Sequence, residues 1–352
     1  MSTIKREKLE LQQTLGAIRS RFGLVFAWVV VFILGAVAVP DTFLTVGTLA
    51  GILGSQAVLV FLAIGILFPL TAGDYDLSIG GTLALTSVVL AILNVQSHVD
   101  IVTSILVALA LGATIGAVNG FLVVVFRIDP FIVTLGMATI LSGLAVWVTD
   151  SNTLTGVATM LSEWTFTSSI FSVPPAFYYG GVAVILAWYI LEYTTFGRRL
   201  LYIGRGQEVA RLNGVNVEWG RLRAFVVSGT ASAIAGVIYI GTTGSASPSS
   251  GSSYLLPAYA AAFLGATAIL PGRFNAWGTL VAVYFLGTGI TVITLLGADS
   301  YVQNLFYGGA LIIAVILSQL AHGEGLGRFG SAFHWRRIVR ERATQKPEVA
   351  NA

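Results

Sequence analysis

Apolar residues run along this chain in long blocks, and the polar residues that separate them fall in short clusters. The first block, Phe22 to Val39, holds 18 residues without a charge, long enough to cross bilayer hydrocarbon as a helix. Nine more blocks follow, bounded by polar or turn-forming residues. They are Val46 to Leu70, Leu77 to Val95, Ile101 to Phe126, Phe131 to Val148, Phe177 to Thr195, Ala224 to Thr243, Leu255 to Leu270, Ala276 to Leu296 and Val302 to Leu320. The pattern predicts an all-α, polytopic transmembrane helical bundle of about ten spans, with both termini cytoplasmic. Because spans follow the first block, that block reads as an anchor rather than a cleaved signal. Two halves of five spans would face opposite ways, which is compatible with an inverted repeat.

The division of the chain follows. Residues 1–21 form a basic cytoplasmic lead, 22–320 the transmembrane domain with a cytoplasmic loop at 196–223, and 321–352 a basic cytoplasmic tail. The positive-inside rule supports this count. With the N-terminus inside, the successive inner segments carry 5, 0, 1, 6, 1 and 6 lysines plus arginines, which is all 19 in the chain. A miscounted span would scatter them over both sides.

Composition narrows the class. Hydrophobic residues make up 56% and charged residues 10%, with a mean hydropathy of +0.86, whereas a soluble domain has about 25% charged residues. Forty glycines suit close helix packing in lipid. With no cysteine, neither disulfides nor thiolate metal sites are available. Histidines stand at 98, 322 and 334, without metal-ligand spacing. The sequence contains no GxxxxGK[ST] phosphate loop, no GxSxG elbow and no HExxH, so no cofactor, metal or catalytic residue is expected. The arginines do not alternate with aromatics as a nucleic-acid surface would.

Three polar clusters interrupt the blocks. The largest, Phe196 to Arg223, holds six arginines. Its centre, Gln207 to Gly214, reads as a short helix with Glu208 in the first turn, Arg211 near the end and Gly214 as the stop. Either the segment only sets topology, or it docks a cytoplasmic partner. The second cluster, TAGDYDLSIGG, contains Asp74 and Asp76. Asp76 is placed to cap a helix starting at Leu77 by accepting from amides near Ile79, and gating is the functional alternative. In the third, Gly112, Gly116 and Gly120 recur every four residues as a smooth stripe for a neighbouring helix. Asn119 beside that stripe needs a hydrogen-bond partner. Arg127, Asp129 and Pro130 then make an inner turn. Candidates for a translocation path or gate are Gln56, Asp74, Asp76, Ser78, Asn119, Thr134, Gln303 and Asn304. The longest outer loop, Asp150 to Pro175, is aromatic and reads as an interfacial segment. The next, GTTGSASPSSGSSY, reads as flexible or turn-forming.

Four stretches together resemble the membrane permease subunits of ribose-type carbohydrate ATP-binding-cassette importers. They are DLSIGG at Asp76 to Gly81, GAVNGFLVVVFRIDPFIVTLGMATILSGL at Gly116 to Leu144, FGRRLLYIGRGQEVARLNGVNV at Phe196 to Val217, and YGGALIIAVILSQ at Tyr307 to Gln319. Two segments depart from the family pattern: Gly73-Asp74-Tyr75 replaces a glycine pair, and YLLPAYAAAF lacks a usual acidic residue. The resemblance implies a paired permease, of two copies or with a paralogue, in membrane lipid. Cytoplasmic ATPase subunits would lie below and an extracytoplasmic solute-binding protein above. It assigns ATPase coupling to Gln207, Glu208, Ala210, Arg211, Leu212, Asn213 and Gly214. The cargo would be a monosaccharide, polyol or similar solute. A branched-chain amino acid permease is the nearest alternative. A stand-alone secondary transporter would be expected to carry intramembrane charge, and a membrane enzyme would need an acid, base or metal cluster.

Overall fold

The structure is a computed structural model that describes residues 3–321. Fifteen α-helices account for most of it: α1 (Thr3–Ala38), α2 (Pro40–Phe43), α3 (Val46–Ser55), α4 (Ala57–Thr71), α5 (Ile79–Ala91), α6 (Ile101–Val125), α7 (Pro130–Val148), α8 (Thr159–Ser162), α9 (Pro175–Tyr193), α10 (Thr195–Arg205), α11 (Gln207–Leu212), α12 (Val217–Thr243), α13 (Ser252–Gly265), α14 (Ala276–Leu295) and α15 (Ser300–Ala321). The two strands are dipeptides, β1 (Leu154–Thr155) and β2 (Ser245–Ala246), paired antiparallel. Two π-helical turns, Ile92–Gln96 and Glu163–Thr167, complete the elements. The tail at 322–352, including the basic cluster expected there, lies outside the described residues.

Helix starts are written in side chains. Thr45, Asp100, Asp129, Asn216 and Asn275 each accept a hydrogen bond from a first-turn amide, at Thr48, Thr103, Phe131, Trp219 and Gly278 respectively. Each satisfies a donor that a helix start otherwise leaves open. At Asp100, which lies outside the spans, the Thr103 amide holds the carboxyl below its ordinary range.

Among the described residues nine helical segments are long and apolar enough to cross a membrane. The tenth expected span, Leu255 to Leu270, is not a single long helix: the Gly244–Gly251 segment leads in from one end and a short helix completes the crossing. Its helix, α13, is 14 residues long, or about 21 Å, and the chain from Ala266 to Phe274 is irregular. Hydropathy marked the apolar text but not the turn, because Ala266, Ala268, Ile269 and Leu270 are apolar residues in a non-helical stretch. A second boundary also moves: α12 begins at Val217, so Arg221 and Arg223 stand inside a helix rather than in the loop.

The core is built around α12 and α4. Every residue of α4 from Ala57 to Leu70 is buried. The stripe on α6 meets α12, as its spacing predicts: a methyl group added at Gly112, Gly116 or Gly120 would strike Gly229, Phe225 or Leu222. The two helices therefore pack backbone against backbone, and dispersion rather than side-chain volume holds them.

Contacts gather the arginines at one end of the bundle. Arg21 reaches the Ile269 carbonyl, Arg273 reaches Glu192, Arg221 reaches Asp74, and the Arg127 charge acts on Glu218. At the other end, Asn94 accepts from the Ala158 amide and β1 pairs with β2. The Gly244–Gly251 segment does more than turn there. Gly251 presses against Gly80 at the start of α5. Asp76, just below, faces Ser228 near the middle of the 27-residue α12. Thus α5 and α13 both begin near mid-depth and run to opposite ends.

Candidate functional site

The polar residues picked from sequence converge on one short segment, Ala72–Ser78, which returns the chain from α4 to α5. Gly73 has φ +85, a conformation glycine adopts without strain, and this lets the chain reverse beneath α4. Each following residue then grips a different helix. Asp74 forms a two-pronged ion pair with Arg221 of α12, with Nε to Oδ2 at 2.7 Å and Nη2 to Oδ1 at 2.8 Å. The Tyr75 carbonyl accepts from Thr134 of α7 at 3.2 Å, and its ring stacks on Tyr259 of α13. Asp76 Oδ1 accepts from the Ser78 amide at 3.0 Å and the Ser78 hydroxyl at 2.6 Å. The Ser78 oxygen in turn accepts from Asn119 Nδ2 of α6 at 2.8 Å.

Asp74, Asp76, Ser78, Asn119 and Thr134 are all buried. Burial pushes the Asp74 carboxyl above its ordinary range, against the hydrogen bonds and charge of Arg221. Both carboxylate oxygens of the acid are taken by that guanidinium. Asp76 differs from its expected role: the helix starts at Ile79, two residues later, and the carboxylate holds Ser78 rather than the amides near Ile79. The second Asp76 oxygen faces Ser228 of α12, and the Tyr259 hydroxyl of α13 faces the Asp76 backbone, so the cluster continues to these two helices.

Three other candidates stand apart. Gln56 fills the break between α3 and α4, where its side chain lies against Gly287 and bonds Ser55. Gln303 reaches Thr294, and Asn304 is exposed at the start of α15. The structure does not bring these to Ala72–Ser78.

The second candidate region is the Gln207–Gly214 segment. The helix α11 forms over Gln207–Leu212, and Gly214 has φ +76. Arg211 braces it, with Nη1 to Glu208 at 3.0 Å and Nη2 to Glu218 at 2.6 Å. The same two carboxylates, Glu218 first, hold the Arg211 guanidinium above its already high range. Asn213 Nδ2 donates to the Val209 carbonyl at 2.8 Å. Ala210 is 4% exposed and turns into the protein, whereas Val209 is 64% and Leu212 87% exposed. Ala210 therefore supports the helix, and Leu212 and Val209 present its face. The preceding α10 lies against the bundle through buried Leu200 and Ile203, while Arg198, Arg199 and Arg205 point outward.

Sequence reasoning passed over the residues that join these regions. Arg221 reads as one of six loop arginines, and nothing in the text pairs it with Asp74, 147 positions earlier. Ser228, Tyr75 and Tyr259 were equally silent among apolar neighbours. The Glu218 beside Arg211 had a local signal: it sits seven residues away, across the Gly214 turn, in the first turn of a helix.

The family model for the permease component of the branched-chain amino acid transport system matches residues 48–315. Among curated proteins, the ribose import permease protein RbsC of Bacillus subtilis is 32% identical over 90% of this chain and 99% of its own length. RbsC of Escherichia coli K12 is 32% identical over 78% of this chain and 86% of its own. The D-allose transport system permease protein AlsC of Escherichia coli K12 is 27% identical over 83% and 89%. No solved structure matches. A match over this length, on a bundle of nine membrane-crossing segments among the described residues, places the chain in that family of multi-pass membrane permeases.

Proposed function

We propose that this chain is the translocating subunit of an importer for a monosaccharide or a similar hydroxylated solute. The names of the relatives, which include ribose, allose, L-arabinose and galactose permeases, support a sugar over the amino acid in the family's description. The subunit itself hydrolyses nothing; a cytoplasmic ATPase supplies the energy and an extracytoplasmic binding protein delivers the solute. A second permease, identical or paralogous, completes the path. In this reading the arginine-rich end is cytoplasmic, as are both termini.

The observation that carries the reading is α11. A leucine 87% exposed on a short helix braced by two ion pairs is a surface prepared for a partner. Exposed ion pairs contribute little stability, so their use lies in orienting Leu212 and Val209. Glu208, Arg211, Asn213 and Gly214 shape this docking face, and Gln207 and Ala210 anchor it. Around Ala72–Ser78, the polar groups line or gate a weakly binding path, since a tight site would slow release.

The test is reconstitution in proteoliposomes with the cognate ATPase and binding protein. ATP hydrolysis should rise when the binding protein is loaded with its sugar, and uptake should follow. Reversing charge at both Glu208 and Arg211 should lower solute-stimulated hydrolysis while leaving membrane insertion intact. Uptake that persists in ATP-depleted vesicles would overturn the proposal.

A further inference from the structure

The two regions described above are joined at two points. The Gly204 residue of α10 packs so tightly on α4 that an added methyl group would meet the Thr71 carbonyl at 2.2 Å, and a methyl group at Gly73 would in turn lie 3.6 Å from Gly204. Arg221 makes the second junction. Two of its nitrogens hold Asp74, and the third, Nη1, reaches Gln207 Oε1, on the first residue of α11, at 3.4 Å. Its side chain is 14% exposed and that of Asp74 is 2%, so the pair is sheltered from water. One planar group thus touches the docking helix, the return segment and, through its own backbone, the central helix α12.

This arrangement suits transmission better than mere stability. A buried ion pair is poor evidence of net stabilisation, because desolvation offsets much of its attraction. Its merit is geometric. A two-pronged arginine–carboxylate pair fixes distance and angle together, so a displacement of Arg221, which α11 touches through Gln207, passes directly to Asp74. Beyond Asp74, the segment is tied to α7 through Thr134, to α6 through Asn119 and to α13 through Tyr259. A movement entering at Gln207 is therefore distributed to three helices, α6, α7 and α13.

We propose that Arg221 is a positioning residue for ATP-coupled transport, linking α11 through Gln207 and Asp74 to the Ala72–Ser78 segment. The proposal rests on the permease reading and goes beyond docking: it states how a docked ATPase moves the path.

The experiment uses the full importer in proteoliposomes and four permeases: unaltered, Arg221→Lys, Arg221→Gln, and the double variant Asp74→Asn with Arg221→Gln. The double variant removes both charges together, so no buried carboxylate is left unpaired. Both it and Arg221→Lys should co-purify with the ATPase, and Arg221→Lys should keep unstimulated hydrolysis. Both should lose roughly tenfold in solute-stimulated hydrolysis and uptake, within the span usual for coupling between sites. The loss should fall on the maximal rate, with the half-saturating solute concentration unchanged, because a lysine keeps the charge but cannot hold Asp74 and Gln207 at once. Full stimulated uptake by Arg221→Lys or by the double variant would overturn the proposal. So would a loss matched by equal loss of ATPase co-purification, which would make Arg221 a folding or docking residue. Failure of the unaltered importer to couple uptake to ATP would instead refute the permease reading beneath it.

Discussion

Asn119 shows what a single polar side chain does in an apolar surrounding. It is fully buried, donates to Ser78, and through Ser78 steadies the Asp76 carboxylate. Replacing it with alanine should cost about 1–2 kcal/mol, the usual range for a lost buried hydrogen bond with partial compensation, measurable as a shift in unfolding midpoint in detergent. Asn119→Asp should cost more at neutral pH, because it brings a second carboxyl toward Asp76 with no added cation. The penalty should therefore grow as pH rises above the ordinary carboxylate range and shrink in acid. Equal losses in both variants at every pH would rule out this account. That Asn119 needed a partner was legible in the sequence, since an amide in hydrocarbon cannot go unpaired. That the partner is Ser78, 41 positions away, was not, because pairing across helices depends on rotations that periodicity does not fix.

Elements were legible to the extent that their cause is local. The spans followed from runs of apolar residues, the α6 stripe from glycine spacing, and α11 from its acidic start and glycine stop. What escaped were features whose cause is distant. The α13 helix begins at Ser252 because Gly251 and Gly80 allow the backbones of two helices to touch, and no reading of either sequence neighbourhood reveals that contact. Similarly, α12 extends to Val217 because Asn216 caps it, whereas hydropathy sees only its apolar part. The glycine contact makes a prediction at this scale. Gly251→Ala would drive a methyl group into the Gly80 carbonyl oxygen. Relief by backbone shifts should cost about 1–3 kcal/mol, seen as lower thermal stability of the purified subunit. Gly156→Ala, where nothing lies within 4 Å but φ is +90, separates steric crowding from backbone strain. If the two variants lose equally, crowding at mid-depth is not the cause.

At the scale of the molecule, the head-on contact of α5 with α13 is its most consequential feature. Gly80 belongs to the first half of the chain and Gly251 to the second, and no side chain stands between them. A contact made only of backbone has no side chains to interlock, so α5 and α13 can tilt against each other at that point. In mechanical terms the pair is a fulcrum, set between two arms of similar length. Closure of the arginine-rich end would spread the opposite end by a comparable amount. Spin labels at Leu212 and at an exposed residue of the Asp150–Pro175 loop, each paired with its equivalent in the second permease, should therefore change separation in opposite directions when ATP is bound. A shift of both pairs in the same direction would mean that the halves translate without pivoting. With a fulcrum at mid-depth, the path needs no separate device to keep both ends from opening together: the lever that opens one end closes the other.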